Sequence, residues 1–421
     1  MTERTKRKSK IDPIKVLILI LSLFLVVYVS SKTYALATNI TNHFLKSGYS
    51  NVGSAFTKPV FPEKAVLNKE EYDLRMHHLA HTFDLNNASS TALFKTVLAA
   101  AIGLNSTSSF SISISNVPTN TVSTSSVSAT STKNSTSTVG TSSKSAPSLW
   151  PAKNTVYPKV GAILPFKRIV AYYGNLYSKK MGALGEYESE DMLRRLQAQA
   201  KEWELADPAT PVVPALHYIA VVAQGSAGSD GMWRSRMPHS EIDKVIEMAK
   251  KIDAIVFLDV QVALSDLPKE LPQLEKYLSM PNVHLGIDPE FSMKTGKKPG
   301  SVIGTMDATD INFAASYLAG LVQKHDLPPK VLTFYRFTRN MVTNYKNIKT
   351  IPEVQMVLTM DGWGHQARKI GTYKQFVYPE PIQFTGFKLF YKNDLKQENS
   401  RLMTPAEVLK LTPAPIYIQY Q

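Results

Sequence analysis

From Arg168 to the C-terminus, short apolar runs alternate with longer amphipathic stretches. Eight runs read as strands: Arg168–Tyr173, one within Val212–Val222, Ile255–Leu258, Val283–Ile287, Val331–Phe337, Gln355–Met360, Phe384–Leu389 and Ile416–Gln419. Between most of them lie helical patterns, at Ser189–Leu205, His239–Ile252, Leu267–Leu278, Ala308–Lys324 and His365–Phe376. The first has Met192, Leu193, Leu196 and Trp203 as its apolar stripe and Ser189 as a candidate cap, and Asp307 is placed to cap the fourth. Thr404–Leu409 opens a short helix with Pro405 in its first turn. Alternation of this kind implies parallel strands, and eight of them predict an α/β fold, a closed (β/α)8 TIM-like barrel over 150–421. The alternative is an open doubly wound sheet. The first strand is not followed by GxGxxG, which counts against a dinucleotide fold, and GxxxxGK[ST] is absent.

The stretch Val283 to Phe291 organises this region. It is a short apolar strand that ends in two carboxylates. Pro289 cannot donate to a sheet ladder, so the strand should stop near Asp288. That leaves Asp288 and Glu290 at the C-terminal face, where barrels of this kind place their chemistry.

The N-terminal third reads differently. Arg4, Lys6, Arg7, Lys8, Lys10 and Lys15 precede an apolar run from Val16 to Val29. A basic flank before such a run reads as a secretory signal or a signal anchor, with the flank cytoplasmic and the rest exported. Ala35-Leu36-Ala37 resembles a small-x-small cleavage site, so residues 1–37 form the targeting segment. Residues 38–104 are partly helical, with candidates at Tyr72–Phe83 and Ala92–Leu104. His77 and His81 are four apart on one helix face, but HExxH is not met, because His78 stands where Glu would. A solvated helix face is the expected reading, and no metal site is assigned. Residues 105–149 are Ser/Thr-rich with only Lys133 and Lys144 charged, so they read as a disordered tether between membrane and folded domain.

The net charge of +14 suggests nucleic acid until it is located. Residues 1–149 carry 15 basic and 7 acidic side chains, against 33 and 27 over residues 150–421. The excess is partly a targeting feature, and without a zinc-finger, helix-turn-helix or RNA-binding signature nucleic acid is not an expected partner. With no cysteine, disulfides, thiolate metal sites, a cysteine nucleophile and a lipidated N-terminal cysteine are all excluded. No cofactor is expected either.

Acids recur at strand ends: Asp259, Asp288 with Glu290, and Asp361. A glycosidase needs one protonated and one ionised carboxyl flanking the scissile bond, and crowding of acids supplies that asymmetry. The competing reading is that these acids cap helices or pair with Arg336, Arg339 and Lys388. Aromatics gather at the same expected rim: Tyr172, Tyr173, Trp233, Trp363 and Tyr391. Their flat faces suit sugar rings, although ordinary packing would account for about half of them. The Gly/Ser-rich loop Gln224–Trp233 lacks P-loop spacing, and its Ser226 and Ser229 lack an elbow motif.

Several stretches together carry a resemblance: Tyr172-Tyr-Gly, Met181-Gly-Ala-Leu-Gly, Val213-Pro-Ala-Leu, Gly228-Ser-Asp-Gly, Phe257-Leu-Asp-Val-Gln, Leu285-Gly-Ile-Asp-Pro-Glu-Phe, Met360-Asp-Gly-Trp-Gly, Gly386-Phe-Lys-Leu-Phe-Tyr, Met403-Thr-Pro and Tyr417-Ile-Gln-Tyr-Gln. They resemble the exported, often lipoprotein-type proteins of Gram-positive bacteria that carry a glycoside-hydrolase-like barrel. The resemblance spans roughly 168–421 and implies fold and location, with no reaction to transfer. This chain departs from the lipoprotein members by lacking the anchoring cysteine, a role its apolar N-terminal run would take over.

The expectation is therefore an exported, membrane-tethered glycoside-hydrolase-like barrel acting on cell-envelope polysaccharide. Glu290, Asp288, Asp259 and Asp361 are the candidate catalytic residues, and Tyr173, Asp230, Trp233, Trp363, Lys388, Tyr391 and Gln419 the candidate substrate-binding residues. A non-catalytic wall-binding module or a protein-interaction scaffold on the same fold stands as the alternative.

Overall fold

The computed structural model describes residues 66–81 and 155–421. The apolar N-terminal run, the expected helix at Ala92–Leu104 and the Ser/Thr-rich stretch lie outside the described residues. Eight parallel strands form the centre: β1 (Arg168–Gly174), β2 (Val212–Ala223), β3 (Ile255–Val260), β4 (Val283–Ile287), β5 (Lys330–Arg336), β6 (Val354–Met360), β7 (Phe384–Leu389) and β8 (Tyr417–Tyr420). Each pairs with the next in chain order. β8 then closes on β1, with Ile169 opposite Tyr417. The sheet has no open order, so the chain forms a closed TIM-like barrel. A short strand, Arg234–Arg236, returns antiparallel along the end of β2.

The helices follow the apolar stripes, with three local departures. α1 (Lys69–Leu79) starts earlier than Tyr72 because Asn68 caps it, accepting from the Glu71 amide at 3.0 Å. α2 (Ser189–Ala206) begins at Ser189 itself, and the flanking Glu188 makes no capping bond. The segment Leu267–Leu278 is broken into a helical turn, a 3-10 turn and a second helical turn. Pro272 explains the break, since it offers no amide to the carbonyl four residues back, whereas Pro268 sits in the first turn, where the amide has no helical partner. α3 (His239–Lys250) and α4 (Ala308–His325) are regular. Asp307 caps α4 in a reciprocal box with Asp310, an arrangement worth about 1 kcal/mol. α5 (Gln366–Thr372) runs on into a π-type turn at Tyr373–Val377. Among the described residues no helix is long and apolar enough to cross a membrane.

The two faces of the strands bury different things. Outward residues such as Val170, Leu216, Val256, Leu285, Phe334 and Ile418 pack with Met192, Leu196 and Trp203 of α2 and with Ile242 and Leu318 from α3 and α4. Inward residues form a separate apolar layer of Ile169, Ala171, Ala215, Ile255, Phe257, Val331, Val357 and Phe384 at the start of the strands. Tyr72, Met76 and Leu79 of α1 belong to that layer and close the bottom of the barrel. The Ala414 amide donates to the Leu79 carbonyl at 2.6 Å, fastening the helix there. Two residues further along each strand the interior turns polar, and this change builds the site.

Candidate functional site

The period-two alternation of a strand fixes which side chains look inward. With Phe257 inward on β3, Asp259 follows. With Ala215 inward on β2, His217 follows, and β5 and β8 bring Tyr335, Tyr417 and Gln419 to the same level. These groups form one buried polar layer. His217 meets Asp259 at 3.0 Å through Nε2 and Tyr417 at 2.6 Å through Nδ1. The Tyr335 hydroxyl lies 3.2 Å from Asp259 Oδ1 and 3.1 Å from Gln419 Oε1. The His217 ring stacks on Phe257 at 5.1 Å, and burial lowers its pKa. Gly286 on β4 is required here: a Cβ would stand 2.3 Å from Asp259 Oδ1 and 2.6 Å from His217 Nε2. Asp259 is therefore not at the rim. β3 continues through it to Val260, and its carboxyl is fully enclosed in the barrel.

Above this layer opens a cleft of about 410 Å³ at the C-terminal mouth. Asp288, Glu290, Asp361, Lys388, Tyr173 and Trp363 all line it. β4 ends at Ile287, and Asp288 caps the 3-10 turn Pro289–Phe291 by accepting from the Glu290 amide at 3.0 Å. The cap turns Glu290 toward the opening. Gly304 seals the turn from behind: its amide donates to the Glu290 carbonyl at 2.7 Å, and a Cβ there would lie 2.5 Å from that oxygen.

The acids do not share one environment. Burial, then the charge of Asp361, raises the Glu290 carboxyl to about 7, against a smaller pull from Lys388. Burial and the charges of Asp259, Glu290 and Asp361 hold Asp288 well above the usual carboxylate range. Two donors oppose that shift, the Glu290 amide and Gln261 Nε2 at 3.2 Å. Burial also raises Asp361, but Lys388 Nζ lies 2.9 Å from its Oδ1 and works against it. Lys388 in turn stands over the Tyr173 ring at 4.3 Å and the Tyr335 ring at 4.9 Å. The Tyr173 hydroxyl links the levels, meeting Asp259 at 3.2 Å below and Gln261 at 3.3 Å beside the cleft.

Four of the remaining expected residues lie elsewhere. Asp230 is exposed, pairs with Arg234 at 2.7 Å and accepts from the Met232 amide, so it pins its loop. Trp233 does not line the cleft. It adopts a left-handed backbone at φ 55° and closes the same loop through its amide to Ala227 at 2.9 Å. Tyr391 stacks on Tyr420 at 5.2 Å and bonds Tyr172 and Gln199, packing β7 against α2. Gln419 is fully buried in the inner layer. The loop from Gln224 is tied down further by Arg234 and Arg236, which both hold the enclosed Glu270, at 2.8 and 2.7 Å.

Sequence reasoning missed Gln261, Lys180, Arg368 and Phe390 in the cleft, and His217 and Tyr335 beneath it. Counting by twos from the apolar inward residues finds His217, Tyr335 and Gln261; Lys180, Arg368 and Phe390 lie outside the strands and carry no such signal. A larger groove of about 790 Å³ lies outside the barrel between α2 and α3 and contains none of the barrel acids. Among the described residues no group of His, Asp and Glu is arranged to hold a metal ion.

No protein-family model matches the sequence, and neither does any curated protein. Among solved structures, Bacillus subtilis mannanase BCman is similar at 11% identity and a TM-score of 0.34, covering 61% of this chain and 81% of that one. Bacillus subtilis mannanase man26 gives 12% identity and a TM-score of 0.34, with 61% and 79% covered. Cellulase Cel5C_n gives 12% and 0.28, with 52% and 65% covered. A likeness of this size says nothing about activity; the barrel rests on its own strand pairing.

Proposed function

We propose that this chain is an exported, membrane-tethered barrel that acts on cell-envelope polysaccharide, with Glu290 as general acid. The observation that carries the reading is the open cleft at the C-terminal mouth, lined together by Glu290, Asp288 and Asp361, in which burial and Asp361 push the Glu290 carboxyl up to about 7. A carboxylic acid that keeps its proton near neutral pH can protonate a departing glycosidic oxygen. Asp361 is the partner best placed to carry charge, because an ammonium stands 2.9 Å away. It would serve as base toward water or as nucleophile toward the sugar, while Asp288 shapes the turn that presents Glu290. The tethered location is supported by the basic flank and the apolar run from Val16 to Val29.

The test is release of reducing sugar from purified wall polysaccharide by the full chain, with Glu290→Gln as comparison. Loss of release with retained wall binding supports the assignment. Unchanged release in the variant removes it. Protease accessibility of the folded region on intact cells tests the location.

A second reading is a wall-binding module without catalysis. One observation favours it: Asp361 is compensated by Lys388, and Asp288 is held by two donors. Binding to purified sacculi without any released sugar would decide for it.

A further inference from the structure

The acids at the floor do not account for the charge at the mouth. Lys180 and Arg368 also line the cleft, and both are exposed. Among the described residues neither side chain forms a salt bridge with a carboxylate; the bonds to Ser178 Oγ and His365 Nδ1 are made by their main-chain amides and leave both charges uncompensated. Most neighbouring cations are compensated, as Lys388 is by Asp361 and Lys369 by Asp394 at 3.0 Å.

Arg368 is also held in place. Its guanidinium lies 5.1 Å over the Trp363 ring, a contact that fixes the cation without neutralising it. Lys396 stands over the same ring at 5.3 Å. Trp363 is 41% exposed, and two cations occupy its surroundings, so it holds positive charge at the rim as much as it offers a sugar platform. The arginine stem lies across Gly364, where a Cβ would stand 2.8 Å from Arg368 Cδ. The backbone at that point is bare of a side chain, and the arginine crosses the space. Arginine presents a planar fork that matches carboxylate and phosphate oxygens, which a neutral hydroxyl does not exploit.

We infer that the cleft takes an anionic glycan, one bearing phosphate-diester or carboxylate groups, whose negative charges are received by Arg368 and Lys180. This rests on the reading of the cleft as a glycan site. It narrows the substrate class from polysaccharide in general to charged polymer.

The experiment measures binding of the full chain to Gram-positive walls in three forms: untreated, stripped of phosphate polymers with hydrogen fluoride, and carboxyl-reduced. The Arg368→Ala/Lys180→Ala variant is compared with Lys201→Ala/Lys244→Ala, which removes the same charge from α2 and α3 on the outer ring. Expected are a tenfold or greater loss on one of the two treated walls, which also tells phosphate from carboxylate, and a similar loss for the cleft variant on untreated walls. The outer-ring variant should bind as the native chain does, and added salt should weaken the native interaction. Both cleft residues are exposed, so a thermal melt close to native is expected and checks folding. Equal affinity for all three walls overturns the inference and leaves the glycan reading standing. Equal loss in both variants also overturns it, since bulk charge then suffices. Failure to bind any wall overturns both.

Discussion

Lys388 Nζ sits 2.9 Å from Asp361 Oδ1, and both side chains are nearly enclosed at the floor of the cleft. Each compensates the other where water cannot. Removing one partner of such a pair typically costs 3–5 kcal/mol, because the remaining charge is left buried alone. Lys388→Met should therefore destabilise the fold by about that amount, measured by chemical denaturation. The paired change Lys388→Met/Asp361→Asn should recover most of it. A single variant as stable as the native chain would show that the pair contributes nothing.

Glu290 is expected to govern the pH profile of any hydrolysis. A general acid must be protonated, so kcat/KM should fall as pH rises through about 7, the value to which burial and Asp361 bring this carboxyl. Glu290→Gln should lower the rate by about 10²–10⁴-fold and abolish that limb. A descending limb that survives the substitution assigns the proton to another group.

The same group links stability to pH. Its folded value of about 7 lies above its ordinary value of 4.5, so the native state keeps a proton that the unfolded chain releases. The stabilisation is fully present below about 4.5 and is lost as pH rises through about 7, amounting to at most about 3 kcal/mol. Asp288 is shifted in the same direction by burial and its acidic neighbours. The buried His217 and His284, whose pKa values burial lowers, pull stability the other way over this window, so the contribution of Glu290 is read as a difference. Between pH 4.5 and 7.5 the denaturation midpoint of the native chain should fall relative to that of Glu290→Gln. A native chain and Glu290→Gln variant with parallel pH profiles over this window contradict the assignment.

Gly286→Ala should be among the costliest single-methyl changes in the barrel. The added Cβ would stand 2.3 Å from Asp259 and 2.6 Å from His217, groups that Tyr335 and Tyr417 hold in place. Overpacking of this kind costs typically 1–3 kcal/mol or more. Gly371, on α5 with nothing near its missing Cβ, is the control: Gly371→Ala should be neutral or stabilising. Equal melting temperatures for the two variants would show that the inner layer yields easily.

The amino-acid sequence by itself determined the eight strands and their parallel order, because buried strands and amphipathic helices have different apolar periods. It also placed Asp288, Glu290 and Asp361 at strand ends, the first two because Pro289 cannot continue the ladder and the third because the apolar run stops at Met360. Only the tertiary structure decided that Asp259 lies below the cleft, because the height of an inward residue along the barrel is a matter of register around a closed ring, and Asp259 stands opposite Gly286, two residues short of Asp288. It alone separated Tyr391 and Gln419 from the site: one faces the helices and the other the barrel interior. The cations Lys180, in the loop after β1, and Arg368, on α5, were illegible for a plainer reason. An exposed charge does not tell from its position in the chain what it faces, and its meaning appears when the ring closes β8 onto β1 and brings the segments after β1 and after β6 to one mouth.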